Sequence, residues 1–419
     1  MSKDPHSSGK PKVNAPQEPS KGSPPSGGAT KYTPPAPRQP VSRPLSQPPV
    51  SPPAGVNPPP VGGMASTNPV AERLSTLESE IQSLQGQVTF SNEKRSMTEL
   101  DQGIGNLAQA LAEVRQRGYR YKSFLEGKVN VLAQKWEAAK ALALDEIQRA
   151  EHDLQLLYGQ VSQRYSAAVQ AVNSPSAGTQ LSALEQQIGQ LRTRLGAAQS
   201  TITAAYSGVQ QVYSQTNAQV KEVLWLLEQV DQASFDILAG ENPVQAVKAK
   251  WWRDGKNQGP VGVLYLTDQR LIFEQKEEKV TKKVLFIAAE KETLQEMLFQ
   301  VPIGAVEGVK SSSKGLFGHE DHLDFTFGPA ADYPIAHFHI DGQESEFWVG
   351  LIKKVQNGEI SNERYYATGE SAEVEAQALQ EIFANAPQKC TACGAPFDAP
   401  IAKGQRQIKC EYCGTLMTW

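Results

Sequence analysis

The stretch GVLYLTDQRLIF, residues 262–273, decides the fold of the C-terminal half of the chain. Runs rich in Val, Leu, Ile, Tyr and Phe flank the polar step Thr267-Asp268, which is typical of two antiparallel strands joined by a tight turn. The sequence places these two strands at 260–267 and 270–275. Five similar runs surround them, at 244–252, 280–287, 298–309, 321–328 and 334–340. Seven short strands separated by turn residues predict a small barrel or sandwich.

An amphipathic helix is predicted after the last strand, at 343–357. Its apolar residues Phe347, Trp348, Leu351, Ile352 and Val355 share one face. A single helix after seven strands can cover the open end of a partly closed barrel and bury its core.

The same stretch resembles the G-x-L-x-L-T-x-x-R-L-x-F hairpin of GRAM and bacterial PH-like domains. Val301-Pro302-Ile303 is similar to the I-P-L/I strand of these domains, and the terminal helix stands where the PH fold has its own. The resemblance covers about 236–358 and implies a PH-like β-barrel with a C-terminal capping helix. The long segment 274–297 departs from the family pattern.

Upstream, residues 70–235 show the apolar spacing of a long helical coiled-coil arm. Leu74, Leu77, Ile81, Leu84 and Val88 step by three and four residues, and similar seams follow. The pattern predicts a short helix at 71–88, a continuous helix at 97–172, a break at 173–178 (NSPSAG) and a second long helix at 179–233. The two long helices should fold back antiparallel, the longer spanning roughly 115 Å. Such an arm favours self-association or a spacer role.

Four cysteines form the clearest chemical motif, Cys390-x2-Cys393 and Cys410-x2-Cys413. Thiolates at this spacing suit a tetrahedral zinc ion, and the segment 388–419 resembles the zinc-ribbon knuckles of many bacterial proteins. Four cysteines leave no position for water, so we expect one structural Zn²⁺ and no catalytic metal. A helix at 371–386, within the linker 359–387, would connect this ribbon to the PH-like domain.

The N-terminal tail, 1–69, differs sharply in composition. It holds 19 of the 28 prolines and carries seven Lys/Arg against two acidic residues, a charge of +5. Such a segment cannot bury enough apolar surface to offset its ordering entropy, so we predict disorder. Since the whole chain has a charge of −4, the remainder must sum to −9, which argues against a large duplex-DNA footprint.

The compartment is predicted to be cytoplasmic, with peripheral membrane attachment as an option. No stretch approaches 18 apolar residues, and MSKDPHSSGK lacks the apolar core of a signal peptide. Cysteines clustered at metal spacing fit a reducing environment.

Basic residues on the first predicted strand form a second candidate site, for an anionic lipid or another anion, with tryptophan as an interfacial anchor. The alternative is a solvated strand with one tryptophan in the core. The residues are Lys248, Lys250, Trp251, Trp252, Arg253 and Lys256.

Two further features stay open. Leu316 and Phe317 form an apolar loop tip that could contact a membrane or a partner, or fold back on the barrel. His319, His322, His337 and His339 could bind a second metal, although strand histidines are more often half-buried polar residues.

The sequence therefore predicts a protein of the α+β class. We expect it to be a non-enzymatic adaptor or scaffold, with no small-molecule substrate. Its coiled coil would assemble copies, and its PH-like domain would dock on a membrane surface or a protein segment. The alternative is nucleic-acid binding through the ribbon and the basic tail, with Lys403 and Arg406 touching phosphates.

Overall fold

The computed structural model describes residues 69–253, 258–284, 287–314, 320–367 and 371–419, the last range with gaps at 372, 375–376, 378–379, 382–383 and 398–400. The predicted disordered tail, apart from Pro69, lies outside these residues. So do Lys256, His319, Leu316 and Phe317.

Four helices form the N-terminal part of the described chain: α1 (Pro69–Gln87), α2 (Ser91–Gln116), α3 (Phe124–Gln170) and α4 (Ala177–Asp231). Arg73 contacts Glu185 and Arg192 contacts Glu80, so α1 runs parallel to α4. Gly103 of α2 lies against Tyr213, and Arg117, just after α2, pairs with Asp231, so α2 also runs parallel to α4. The Trp136 indole of α3 donates to Asp101 of α2 over 2.6 Å, and Lys94 pairs with Glu151, so α3 runs the opposite way. The arm is thus a bundle three helices thick, about 80 Å long at 1.5 Å per residue of α4.

The predicted continuous helix at 97–172 is wrong, because the chain turns back at 117–123. Gly118 has φ 87° and Lys122 has φ 54°, which a right-handed helix cannot contain. Tyr119 and Tyr121 are buried in this turn. The apolar seam on either side looks continuous in the sequence, so the turn shortens the arm without breaking the pattern.

The seam residues pack against one another within a single chain. In α2 they are Met97, Leu100, Ile104, Leu107, Leu111 and Val114, all buried. Leu132 and Trp136 of α3 and Leu184 and Leu191 of α4 are buried with them. The predicted short first helix lies along α3 and α4 as a third element of the bundle.

The C-terminal half contains a seven-stranded antiparallel sheet with the order β4-β3-β2-β1-β7-β6-β5. The α+β fold class is therefore confirmed. Pairing between the terminal strands β4 and β5 does not occur in the described residues, so the sheet is not a closed barrel. The strands are β1 (Pro243–Trp251), β2 (Val261–Thr267), β3 (Arg270–Val284), β4 (Ile287–Pro302), β5 (Val306–Lys314), β6 (Glu320–Phe327) and β7 (Ile335–Asp341).

Two predicted strand boundaries were wrong. The runs 270–275 and 280–287 belong largely to one long strand, β3, which pairs with β4 from Arg270 to Val284. The run 298–309 is divided between β4 and β5 by a short 3-10 turn, Ile303–Ala305. Pro302 explains this division, since it lacks the N–H that a continuing strand needs.

Helix α5 (Ser345–Gln356) covers the core of the sheet, as the amphipathic pattern predicted. Trp348 and Ile352 are fully buried, while Phe347 is 47% exposed and does not belong to the buried face. The Trp348 indole donates to Gln343 over 2.6 Å, which satisfies its buried N–H.

Two short strands, β8 (Gln407–Lys409) and β9 (Leu416–Thr418), pair near the C-terminus. In the predicted connecting helix at 371–386, positions 373, 374, 377, 380, 381 and 384 are helical; Leu379, Ile382 and Phe383 lie outside the described residues.

Candidate metal centre and the turn that joins it to the sheet

The four cysteines come together as the spacing predicted. Their sulfur atoms all lie within 4.8 Å of one another. Cys390 Sγ is 3.6 Å from Cys413 Sγ, and Cys393 Sγ is 3.6 Å from Cys410 Sγ. Sulfurs bound tetrahedrally at about 2.3 Å from a zinc ion would be about 3.8 Å apart. The donor set therefore fits a metal ion.

Two matching backbone turns hold these sulfurs. Gly394 N–H donates to Cys390 O over 2.8 Å, and Gly414 N–H donates to Cys410 O over the same distance. Gly394 and Gly414 have φ values of 76° and 73°, a conformation that glycine adopts without a Cβ clash. Each CxxC pair thus forms one tight knuckle.

The electrostatics of one knuckle favour a thiolate. Thr415 Oγ1 lies 3.2 Å from Cys413 Sγ. Hydrogen bonds from the Thr415 side chain and backbone lower the pKa of the Cys413 thiol to about 6. Since the thiolate is the form that ligates metals, Cys413 is the cysteine best prepared to bind a cation at neutral pH, whereas the pKa of Cys393 is raised to about 12.

The loop before the second knuckle is docked on the sheet domain. Arg406 donates to Gln269 Oε1 over 2.9 Å and to Ala239 O over 3.1 Å. Lys403 Nζ donates to Val355 O over 2.6 Å, and burial lowers the pKa of this lysine. Both predicted phosphate-contacting residues are therefore engaged with their own chain, and the nucleic-acid alternative is not favoured.

Glycines allow this close approach. Gly404 has φ 82°, and a Cβ at this position would lie 1.8 Å from Gln269 O. Gly304 N–H donates to Lys403 O over 3.0 Å. The loop 402–406 and the sheet domain are thus in backbone contact.

The turn Thr267-Asp268-Gln269-Arg270, which we call the hub turn, also binds the helical arm. Tyr121, from the turn between α2 and α3, donates its hydroxyl to Asp268 Oδ2 over 2.8 Å. Arg364 donates to the Tyr121 hydroxyl over 2.9 Å. Burial raises the pKa of Asp268, while hydrogen bonds from Asn242 and Tyr121 oppose that shift.

A second set of contacts surrounds the same place. Tyr119 donates to Val244 O of β1 over 3.1 Å, Ser123 N–H donates to Glu363 O over 2.9 Å, and Tyr365 N–H donates to Arg120 O over 2.6 Å. These bonds tie the 117–123 turn to β1 and to the segment after α5.

The last residue of the hub turn closes a buried ion pair. Arg270 donates to Glu241 through Nε at 2.8 Å and Nη2 at 2.6 Å, and Thr267 donates to Glu241 over 2.6 Å. A bidentate pair of this kind is the strong form of a charged hydrogen bond. Hence Asp268 binds the arm, Gln269 binds the cysteine-bearing loop, and Arg270 binds the connection from α4.

Sequence reasoning missed the hub. Thr267 and Arg270 stood out only as parts of the family-like hairpin, whereas Asp268 and Gln269 fall at its unspecified positions. One feature of the sequence could have predicted the buried turn. Gly118 lies between two helical seams and is followed by Tyr119 and Tyr121, and both a glycine and buried tyrosines suit such a turn.

The predicted basic site is divided by the structure. Trp251 is only 2% exposed and packs against Phe273, Phe299 and Phe338. It is therefore the core tryptophan of the alternative interpretation and cannot serve as an interfacial anchor. Arg253 lies over its ring at 4.5 Å, in cation–π geometry.

The remaining described members lie on the outer side. Lys248 is exposed, and Lys250 and Trp252 are half-buried. Strand register places Lys248 opposite Asp341 and Lys250 opposite His339. One acidic residue, Asp341, thus lies beside Lys248 on this face. Lys256 and the Leu316–Phe317 tip lie outside the described residues.

None of the helices in the described part of the chain is long and apolar enough to cross a membrane.

No family model matches the chain, and no curated protein matches it. Structural neighbours include proteins with PH domains. The DH/PH domains of p115-RhoGEF align with 16% identity, covering 68% of this chain and 91% of theirs, with a TM-score of 0.18. A DUF1696 family protein with a pleckstrin-homology domain from Shewanella loihica PV-4 aligns with 16% identity, covering 33% and 92%, with a TM-score of 0.18.

A third neighbour is the DH/PH fragment of PDZRhoGEF in complex with human RhoA, with 13% identity, coverage of 70% and 93%, and a TM-score of 0.21. These scores are too low to carry an argument about function. The PH-like description rests on seven antiparallel strands followed by one covering helix, as the resemblance of residues 262–273 implied.

Proposed function

We propose that this chain is a non-enzymatic adaptor in which a PH-like docking domain is fixed to a helical arm and to a small metal-bound ribbon. The observation that supports this most is the hub turn. Four consecutive residues contact the arm, the cysteine-bearing loop and the α4 connection, so a partner docked on one part keeps a set orientation to the others. A fixed orientation between the parts suits a protein that links partners more than one that catalyses a reaction.

The metal in this proposal is one structural Zn²⁺ held by Cys390, Cys393, Cys410 and Cys413. Four cysteine ligands close the coordination shell, so the ion would hold the two knuckles together and activate no water. About 30 residues cannot sustain a core alone, and metal binding would supply folding free energy on the order of 10 kcal/mol. Freshly purified protein should contain one zinc per chain by elemental analysis, and a metal-free preparation with four free thiols would contradict this part.

We propose that the docking domain binds an anionic membrane surface. If it does not bind membranes, a protein segment is left as its partner. The support is Lys248 and Lys250 on one face of β1, with Arg253 following. The full chain should co-sediment with vesicles of phosphatidylcholine and phosphatidylserine, more strongly at low salt, and not with phosphatidylcholine alone.

Matched charge reversals make that experiment specific. Lys248→Glu with Lys250→Glu should abolish sedimentation with the anionic vesicles. Lys135→Glu with Arg194→Glu changes the net charge equally at exposed positions on the arm and should leave it intact. Equal loss in both variants would mean nonspecific attraction, and no binding by the native chain at low salt would exclude the membrane surface.

Self-association through the arm remains part of the proposal. Because the seams are buried within one chain, it would have to use outward residues such as Leu142 and Leu156, which are 63% and 60% exposed. Light scattering of the full chain measures its molar mass directly. A monomer mass at high protein concentration would contradict self-association.

A further inference from the structure

A chain of four titratable side chains crosses the outer face of β6 and β7. His337 Nδ1 is in close contact with Asp324 Oδ1. His337 Nε2 lies 3.0 Å from His322 Nδ1, and His322 Nε2 lies 3.4 Å from Glu320 Oε2. We call His322 and His337 the histidine pair.

Counting protons shows what this chain requires. It contains three contacts, and each needs one proton between its two heavy atoms. The two carboxylates supply none when ionised, and two neutral imidazoles carry only two protons in total. The three contacts are therefore hydrogen bonds together only when the pair holds one additional proton and a single positive charge.

Burial makes the count consequential. His322 is fully buried, and a buried imidazolium is costly unless it is paired. Here a carboxylate stands at each end of the pair, so the added charge is compensated. Without the added proton, His322 Nε2 would present a lone pair to the Glu320 carboxylate, which is a repulsive contact.

Trp252 connects this chain to the strand connection that follows β1. Its backbone N–H donates to His337 O over 2.8 Å. Its ring lies 4.8 Å from the His322 ring and 5.2 Å from the His337 ring, between centroids. An indole face attracts a cation at this range and attracts a neutral imidazole less.

We propose that His322 and His337 form a proton-binding site that holds the Trp252 indole, and with it the start of the β1–β2 connection, against β6 and β7 while the pair carries one positive charge. Loss of that proton breaks one hydrogen bond and weakens the contact with the indole. The proposal is independent of what the domain docks on.

Other charged groups face this site from the neighbouring strands and must be considered with it. From β7, His339 lies 3.6 Å from Asp341, and its ring is 5.0 Å from that of His322. From β5, Ser312 contacts Asp324 at 3.4 Å. The remaining positions, given by strand register, are Lys250 opposite His339 and Lys310 opposite Asp324.

The test is the emission of Trp252, obtained as the difference between the full chain and its Trp252→Phe variant. Because a protonated imidazole quenches indole emission, this difference should be smaller at pH 5 than at pH 8 and should change between them in a single one-proton transition. An identical difference at both pH values would overturn the proposal.

Three variants locate the proton. His322→Gln combined with His337→Gln removes both imidazoles and should remove the transition, while His152→Gln, on the exposed side of α3, should leave it unchanged. Glu320→Gln offers an amide donor to His322 Nε2, so the neutral pair then suffices and the transition should move to lower pH. An unmoved transition in Glu320→Gln would contradict the proton count even if the double histidine variant failed to fold.

Discussion

Replacing Tyr121 by phenylalanine tests the hub turn at the contact that holds the arm. The change removes only the hydroxyl, which donates to Asp268 over 2.8 Å and accepts from Arg364 over 2.9 Å. The ring remains, and it is 1% exposed in the native chain. Packing is therefore preserved, and the change removes these two hydrogen bonds with charged groups.

The size of the free-energy change depends on which hydrogen bonds Asp268 retains in the variant. Hydrogen bonds to charged groups contribute about 1.5–3 kcal/mol each. Asn242 still donates to Asp268 from its backbone at 2.9 Å and from its side chain at 3.0 Å, so the carboxylate is not left bare. We expect the free energy of opening the joint to fall by about 2 kcal/mol, which is about a 30-fold increase in the open population.

Trypsin reports that population, because Arg117, Arg120 and Lys122 lie in the turn. When opening and closing are fast, cleavage after these residues follows the open fraction. Mass spectrometry of the fragments should show cleavage after Arg120 and Lys122 about 30-fold faster in Tyr121→Phe, from the ~2 kcal/mol above.

The control is Tyr412→Phe, which removes a hydroxyl from a ring that is 76% exposed. It should leave cleavage in the 117–123 turn unchanged. If Tyr121→Phe behaves like this control, the arm is held by something other than the hub turn.

Three further outcomes are expected. Gly404→Ala should free the cysteine-bearing loop from the sheet domain, because its Cβ would lie 1.8 Å from Gln269 O. The control is Gly358→Ala, which has a similar positive φ but open space around the added Cβ and should leave the loop docked. Limited proteolysis near residue 400 should be faster in the first variant and unchanged in the second. In metal-free protein at pH 7, iodoacetamide should modify Cys413 before Cys393, since the pKa of Cys413 is lowered to about 6 and that of Cys393 is raised to about 12; equal rates would contradict the assigned thiolate. Phe90→Gly should destabilise the arm in chemical denaturation by about 1–4 kcal/mol, because losing a buried ring (about 3–5 kcal/mol) outweighs relief of its left-handed backbone (about 1–2 kcal/mol); a stabilised variant would reverse that order.

The sequence predicted those parts of the fold that depend on local pattern. The spacing of Leu100, Ile104 and Leu107 indicates a helix, because a helix buries one residue in every three or four. The spacing of Cys390 and Cys393 indicates a knuckle, because two thiols at this spacing can reach one ion. In both cases the partners lie within one element or one short motif.

The hub turn depends on contacts that no local pattern contains. Tyr121 and Asp268 are 147 residues apart, and Gln269 and Arg406 are 137 apart. A tyrosine after Gly118 signals a turn, but its bonding partner is decided by how three elements meet. The open sheet and the long β3–β4 hairpin were missed for a similar reason, since strand pairing is non-local.

The most direct test of the account is hydrogen exchange at two amides that bridge its parts. Ser123 N–H donates to Glu363 O, and Tyr365 N–H donates to Arg120 O, so each joins the arm to the segment after α5. If the hub turn holds the arm and the sheet domain as one body, both amides exchange as slowly as amides paired in the central strands. Exchange at the rate of an unprotected peptide, while the strands stay protected, would show that the arm swings freely and would contradict the account.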